Sequence, residues 1–340
     1  MNKDEGLNNR TPASRASWQT ELAQAFTRPA ELLQYLNLDH GPVSGATEAA
    51  QGFRMLVPRG FAALMRPGDP RDPLLLQVLP SAAEHLTASG YSPDPVNDAA
   101  ACRAPGLLQK YAGRVLLVAT GACAVHCRYC FRRHFPYADH GGGRHFDAAL
   151  EAIAAAHDLH EVILSGGDPL MLGDDTLSAL ITRLEGLPQL RRLRLHTRLP
   201  VVLSSRVTPA LCRVLTASRL RTVIVVHVNH AAELGDAAAR ALGMLRKAGI
   251  PLFNQSVLLR GINDDAGVLA ELAERLFDLG VINYYLHQLD RVEGAAHFEV
   301  DDDRARQLIT TLRAHLPGYL VPRLVREVAG ALSKTPLDSC

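Results

Sequence analysis

Six short apolar runs recur between residues 115 and 289 with helical stretches between them. This alternation limits the fold more than any other feature of the chain. The runs cover residues 115–120, 161–165, 193–197, 222–228, 251–258 and 282–289. The first, Val-Leu-Leu-Val-Ala-Thr, is almost continuously apolar, the pattern of a strand buried on both faces in a parallel sheet. Between the runs, Thr208 followed by Pro209 reads as an N-cap with proline at the first helical position. Val268, Leu269, Leu272 and Leu276 mark one apolar helix face. Six strand–helix units in a row predict an α/β fold with a parallel sheet, either doubly wound or barrel-like.

The polar residues choose between these. A cysteine cluster follows the first run, and Ser165-Gly166-Gly167-Asp168-Pro169 ends the second. His196-Thr197-Arg198 ends the third, His227-Val228-Asn229-His230 the fourth and His287-Gln288-Leu289-Asp290 the sixth, while Asn254-Gln255-Ser256 lies within the fifth. Barrel enzymes place their sites at the C-terminal ends of their strands. A doubly wound sheet would use mainly one switch point. A partial (β/α)6 barrel is therefore expected over residues 111–316. A mainly helical region broken by prolines and glycines precedes it (residues 1–110), with no chemistry of its own. A short C-terminal segment follows (residues 317–340).

Charge and termini exclude several function classes. Lys+Arg number 36 against 35 Asp+Glu, and no basic block stands out, so no nucleic-acid partner is expected. The N-terminus, Met-Asn-Lys-Asp-Glu-Gly, lacks the apolar core of a signal peptide, and no apolar run is long enough to span a membrane. The expected location is the cytoplasm, where thiols stay reduced.

Cys123, Cys127 and Cys130 fall within eight residues, while Cys102, Cys212 and Cys340 are scattered. Three thiolates on one loop can hold zinc or an iron–sulfur cluster. Structural zinc takes four ligands, usually two separated pairs. Here His126 or His134 would have to complete the set. A four-iron cluster is fully ligated by four cysteines, so three leave one iron open, as a catalytic site requires.

The spacing Cys-x3-Cys-x2-Cys after the first strand of a parallel barrel resembles the signature of radical S-adenosylmethionine (SAM) enzymes. Further stretches resemble lysine 2,3-aminomutase, a radical SAM family that also uses pyridoxal phosphate (PLP). They are Asp72-Pro-Leu-Leu-Leu-Gln-Val-Leu-Pro80, Lys110-Tyr-Ala-Gly-Arg114, Cys-Arg-Tyr-Cys-Phe-Arg-Arg, Ser-Gly-Gly-Asp-Pro-Leu, Asn-Gln-Ser-Val-Leu-Leu-Arg-Gly-Ile-Asn-Asp and Tyr-Tyr-Leu-His-Gln-Leu-Asp. The likeness covers roughly residues 60 to 338. The C-terminus, ending Ser-Lys-Thr-Pro-Leu-Asp-Ser-Cys, resembles the branch that makes β-lysine for elongation factor P.

The resemblance implies a TIM-like radical SAM barrel with a C-terminal PLP-lysine segment. It implies an isomerase that converts L-α-lysine to (R)-β-lysine by 2,3-amino migration. A [4Fe-4S] cluster on Cys123, Cys127 and Cys130 would bind SAM at its open iron, and reduction would start the radical chemistry. Ser165, Gly166, Gly167 and Asp168 match the motif for the SAM amino group, and Gln255 lies where the family contacts SAM. PLP would sit on a lysine near the C-terminus. The chain has four lysines, Lys3, Lys110, Lys247 and Lys334, and Lys334 matches the Schiff-base lysine. Lys110 and Arg114 would hold the PLP phosphate, and Tyr284 would border its ring. Arg132 would hold the substrate carboxylate as a bidentate pair. Asp290 and Glu327 would hold the substrate ε-ammonium. The histidines, including His196, His227 and His287, read as satisfied polar residues. Expected partners are L-lysine, an electron donor such as flavodoxin or ferredoxin, a second copy in a homodimer, and a functional link to elongation factor P and its lysine ligase.

Three positions depart from the family pattern. Glu327 stands where the family has aspartate, Val-Ala-Gly-Ala-Leu-Ser replaces a glycine-rich run before Lys334, and His287 stands where fermentative enzymes have tyrosine. All touch the substrate end. An arginine or glutamate 2,3-aminomutase is therefore the alternative within the class, although Asp290 would repel a glutamate side chain. A non-catalytic zinc or iron–sulfur protein is the alternative outside it.

Overall fold

The computed structural model describes residues 17–38, 46–140 and 146–337; Lys3 and Cys340 lie outside them. Ten strands form one sheet in sequence order. They are β1 (Cys102–Ala104), β2 (Leu107–Tyr111), β3 (Arg114–Thr120), β4 (Glu161–Gly166), β5 (Arg192–Thr197), β6 (Arg221–Val226), β7 (Leu252–Val257), β8 (Val281–His287), β9 (Arg323–Arg326) and β10 (Thr335–Pro336). Strands β3 to β9 run parallel, while β1–β2–β3 and β9–β10 are antiparallel. Each apolar run of the sequence corresponds to one of β3 to β8. β9 is a seventh parallel strand, and its four residues, Arg-Leu-Val-Arg, are too few to stand out as an apolar run.

The pleat separates two environments. Val115, Leu117, Val162, Leu164, Leu193 and Leu195 are buried in the main apolar core, which the helices share. The alternate residues Leu116, Ile163, Arg194, His196, Gln255, Tyr285 and His287 line an internal cavity. In this way a strand with near-continuous apolar character still turns chemistry inward on every second residue.

Helices form where the spacing suits the outer face. The helix Asp174–Glu185 buries Leu177, Leu180, Ile181 and Leu184. The helix Ala266–Asp278 buries Leu269, Leu272, Ala273 and Leu276. The Asp265 carboxylate caps the latter, accepting from the Gly267 and Val268 amides at 2.8 and 3.1 Å. Thr208 caps Pro209–Thr216 by accepting from the Leu211 amide at 3.1 Å.

The sheet is open, since β1 and β10 are not neighbours in it, yet it curls until its edge regions touch. The Tyr111 hydroxyl at the end of β2 donates to Glu327 Oε1, just past β9, at 2.6 Å. This is the partial barrel expected from the sequence, widened by four additional strands. The proposed boundary at residue 110 falls inside the β2–β3 hairpin.

The N-terminal region covers one end of the barrel and holds the cysteine loop. The Arg128 amide donates to the Gln77 carbonyl at 2.8 Å, and the His126 amide to that of Leu56 at 3.0 Å. Glu84, placed by a capping box with Ser81, forms buried ion pairs with Arg128 and Arg133. The expectation that this region has no chemistry of its own is thus corrected. Its buried Gln77, Glu84 and Asp98 face the loop residues on which the site depends. They were missed because single polar residues between proline turns carry no periodic signal.

Candidate active site

A cavity of about 990 Å³ runs through the curled sheet. That is near the upper limit of ordinary small-molecule sites, and large enough for more than one ligand. Every residue that the resemblance assigns to the cofactors or substrate lines it: the three cysteines, Lys110, Arg114, Arg132, Ser165 to Asp168, Gln255, Tyr284, Asp290, Glu327 and Lys334.

The cysteines sit on the loop that follows β3. Burial pushes the Cys130 thiol up to about 11 and Cys123 well above its usual value, with each site's neighbouring cysteines reinforcing the shift. Without a cation to neutralise them, these thiols keep their protons. His126 Nδ1 lies 2.9 Å from the Arg54 carbonyl and His134 Nε2 3.3 Å from that of Glu293. Among the described residues, no three His, Cys, Asp or Glu side chains are gathered to hold a single metal ion.

The two glycines after β4 are required by backbone proximity. Gly166 has φ +111°, and a Cβ there would come within 2.7 Å of the Thr120 carbonyl oxygen. At Gly167 a Cβ would collide with the Ala122 carbonyl. The Gly167 amide donates to the Thr120 carbonyl at 2.7 Å and that of Asp168 to the Ala122 carbonyl at 2.8 Å. The glycines therefore fasten the β4 loop to the start of the cysteine loop. Asp168 turns inward and accepts from Thr197 Oγ1 at 2.7 Å and from the Arg198 amide at 2.7 Å. Burial raises its pKa to about 6 against those hydrogen bonds.

A second polar group lies where the sheet edges meet. Lys334 Nζ donates to Glu327 Oε2 at 2.8 Å. The β9–β10 register pairs Thr335 with Arg326, which places Lys334 across the hairpin from Glu327. Burial would raise the Glu327 pKa, but Lys334 and the Tyr111 hydroxyl outweigh it and hold the carboxyl below its usual value. Among the described residues Asp290 makes no such pair, and burial pushes it up to about 7, with Lys334 opposing the shift and Glu327 adding to it.

One buried carboxylate, Asp98, bridges two cations of the cavity. It lies 2.7 Å from Lys110 Nζ and accepts from Arg132 Nε at 2.7 Å. Burial favours its neutral form, and the two cations reverse that and lower its pKa. Arg132 also reaches Ser165 Oγ at 3.4 Å. The Arg114 guanidinium lies 4.6 Å from the Tyr111 ring centre. Tyr284 donates to the Tyr285 hydroxyl at 2.9 Å. Of Asn254, Gln255 and Ser256, only Gln255 lines the cavity; the other two bond to the Val228 carbonyl.

The histidines depart from expectation. His196, His227 and His287 line the cavity, and their Nε2 atoms are buried without a hydrogen-bond partner. Burial lowers all three, His227 to about 4, so the rings are neutral. They are polar groups left for a ligand to satisfy, not satisfied structural residues.

Comparison with known proteins defines the class first. Residues 117–273 match the Radical SAM superfamily, and the three-cysteine loop on a curled parallel sheet agrees with it. The family is narrower. The chain is 50% identical to the L-lysine 2,3-aminomutase of Escherichia coli over 96% of its own length and 95% of that relative. It is 46% identical to that of Haemophilus influenzae over 94% and 95%, and 35% identical to that of Clostridium subterminale over 94% and 77%. The chain belongs to the L-lysine 2,3-aminomutase family.

The family's cofactors are a [4Fe-4S] cluster, SAM and PLP, and the cavity fits them. It offers three thiols on one loop, a lysine across the β9–β10 hairpin, the cations Lys110, Arg114 and Arg323, and the unpartnered imidazoles.

Proposed function

We propose a division of labour along this cavity for the isomerisation of L-lysine to β-lysine, the activity of the family. The reading is carried by the meeting of two groups in one cavity: three cysteines on the β3 loop, and Lys334 with its acids where the sheet edges touch. When bound, SAM at the open iron supplies a carbon-centred radical on reduction, and PLP supplies a ring through which nitrogen can migrate.

Cys123, Cys127 and Cys130 would hold the cluster, as thiolates. Ser165 and the Gly166–Asp168 turn, with Gln255, position SAM. Lys334 carries PLP, with Lys110 and Arg114 toward its phosphate and Tyr284 beside its ring. Engaging Lys334 in this way releases Glu327, which Tyr111 still holds in place. Glu327 and Asp290 then receive the ε-ammonium of lysine. Arg132, oriented by Asp98, receives the carboxylate. Fixing the substrate at both ends sets which hydrogen faces the radical. Two acids at the side-chain end favour lysine over glutamate.

The finer assignments are the (R) configuration of the product, its use in modifying elongation factor P, a flavodoxin or ferredoxin as electron donor, a homodimer and a cytoplasmic location. They rest on the sequence resemblance. No helix among the described residues is long and apolar enough to cross a membrane.

The test is an anaerobic assay with iron, sulfide, PLP, SAM, a strong reductant and L-lysine, read by chiral chromatography, with Lys334→Ala and Cys127→Ala alongside. Wild type should form β-lysine and both variants should not. Cys127→Ala should also lose iron, whereas Lys334→Ala should keep it and still cleave SAM. Wild type that cleaves SAM and leaves lysine unchanged would overturn the substrate assignment.

A further inference from the structure

Arg198 lies just past β5 and is buried at 6% exposure. Its NH1 group donates to Cys127 Sγ at 2.8 Å. Its NH2 group donates to Gln77 Oε1 at 2.6 Å and to Glu233 Oε2 at 2.8 Å. The backbone amide is fixed separately by Asp168, at 2.7 Å.

The partners of Arg198 are themselves held. Gln77 Nε2 donates to Glu233 Oε1 at 3.1 Å, and Gln77 Oε1 accepts from Asn229 Nδ2 at 3.0 Å. Glu233 Oε1 also accepts the amides of Asn229 and His230, at 2.9 and 3.1 Å. The guanidinium is thus locked from the N-terminal region on one side and the segment after β6 on the other. Among the hydrogen bonds of the described residues, Cys127 is the one cysteine of the triplet that accepts from a cation.

We propose that Arg198 sets the reduction potential of the cluster, with Glu233 as its counter-charge. The inference rests on the assignment of the cluster to Cys123, Cys127 and Cys130. Reduction adds an electron, and part of the added charge resides on the ligating sulfurs. A cationic N–H donor on such a sulfur stabilises the reduced state more than the oxidised one. Arg198 and Glu233 are buried, so solvent screens their charges little. Glu233 accepts from the other terminal nitrogen of the guanidinium and offsets part of its charge. The two residues therefore act on the potential with opposite sign. Arg198 is a positioning residue that acts through Cys127; it has no assigned contact with substrate.

The test is a redox titration of the reconstituted cluster, followed by electron paramagnetic resonance and normalised to iron and sulfide content, in wild type, R198K, R198Q and E233Q. The expected order of midpoint potentials is E233Q, wild type, R198K, R198Q, from highest to lowest. R198Q should fall by at least a tenfold shift in the reduction equilibrium, about 59 mV for one electron. A residue that only props up the loop would change the iron content and leave the potential of the remaining cluster untouched. Potentials of R198Q and E233Q equal to that of wild type overturn the inference. Should R198Q fail to hold a cluster, E233Q decides: a rise supports the inference, and no change or a fall overturns it. Wild type without iron and sulfide would overturn the cluster assignment beneath it.

Discussion

Asp290 and Glu327 show how two carboxylates in one cavity come to differ. Glu327 has a lysine and a tyrosine as partners and stays ionised, while the half-buried Asp290 has neither and is pushed up to about 7. An incoming ε-ammonium needs both ionised. Below a pKa of about 7 the empty site binds a proton at Asp290 that lysine must displace. The KM for lysine should therefore rise as pH falls through neutrality, approaching tenfold per unit. Asp290→Asn should raise KM above neutral pH, converge with wild type at acid pH and so flatten that dependence. A KM profile for wild type without an upward limb on the acid side would show that Asp290 does not meet the substrate charge. Tyr111→Phe removes the hydroxyl that holds Glu327 once Lys334 is engaged elsewhere. Losing one hydrogen bond to a charged group costs about 1.5–3 kcal/mol, so a rise in KM of about tenfold or more is expected from steady-state kinetics.

At the scale of elements, the loops after β3, β4 and β5 behave as one unit. Gly167→Ala would drive a methyl group into the Ala122 carbonyl and separate the β4 loop from the cysteine loop. The expected result is loss of iron on reconstitution. Gly173→Ala, where nothing lies within 4 Å of the added Cβ, should load iron normally and serves as the control. The buried Glu84, paired with Arg128 and Arg133, anchors that loop to the N-terminal region. Removing one partner of a buried ion pair costs about 3–5 kcal/mol. Glu84→Ala should therefore lower the denaturant midpoint markedly, and a change within error would show the pair to be dispensable.

For the whole molecule, an open curled sheet around a large cavity leaves stability to be gained from ligands. PLP at a hundred times its Kd should stabilise the folded chain by about 2.7 kcal/mol, read as a rise in Tm. Lys334→Ala should abolish most of that rise. An equal rise in the variant would place PLP elsewhere.

The local elements could be read from the sequence. Six apolar runs became β3 to β8, and Thr208-Pro209 began a helix, because burial and capping act over a few residues. The site was legible where a motif concentrates residues along the chain: the cysteine triplet, the glycines after β4, and Lys334 through its resemblance. What escaped was set by contacts between distant segments. Asp98 meets Arg132, Gln77 and Glu233 meet Arg198, and Tyr111 meets Glu327 only once the sheet has curled. The short β9 escaped too, since four residues carry no periodic signal. Covalent spacing determines which chemistry the chain can carry. Tertiary packing decides which buried charges face each other, because only packing sets the distances and the dielectric that govern their energies.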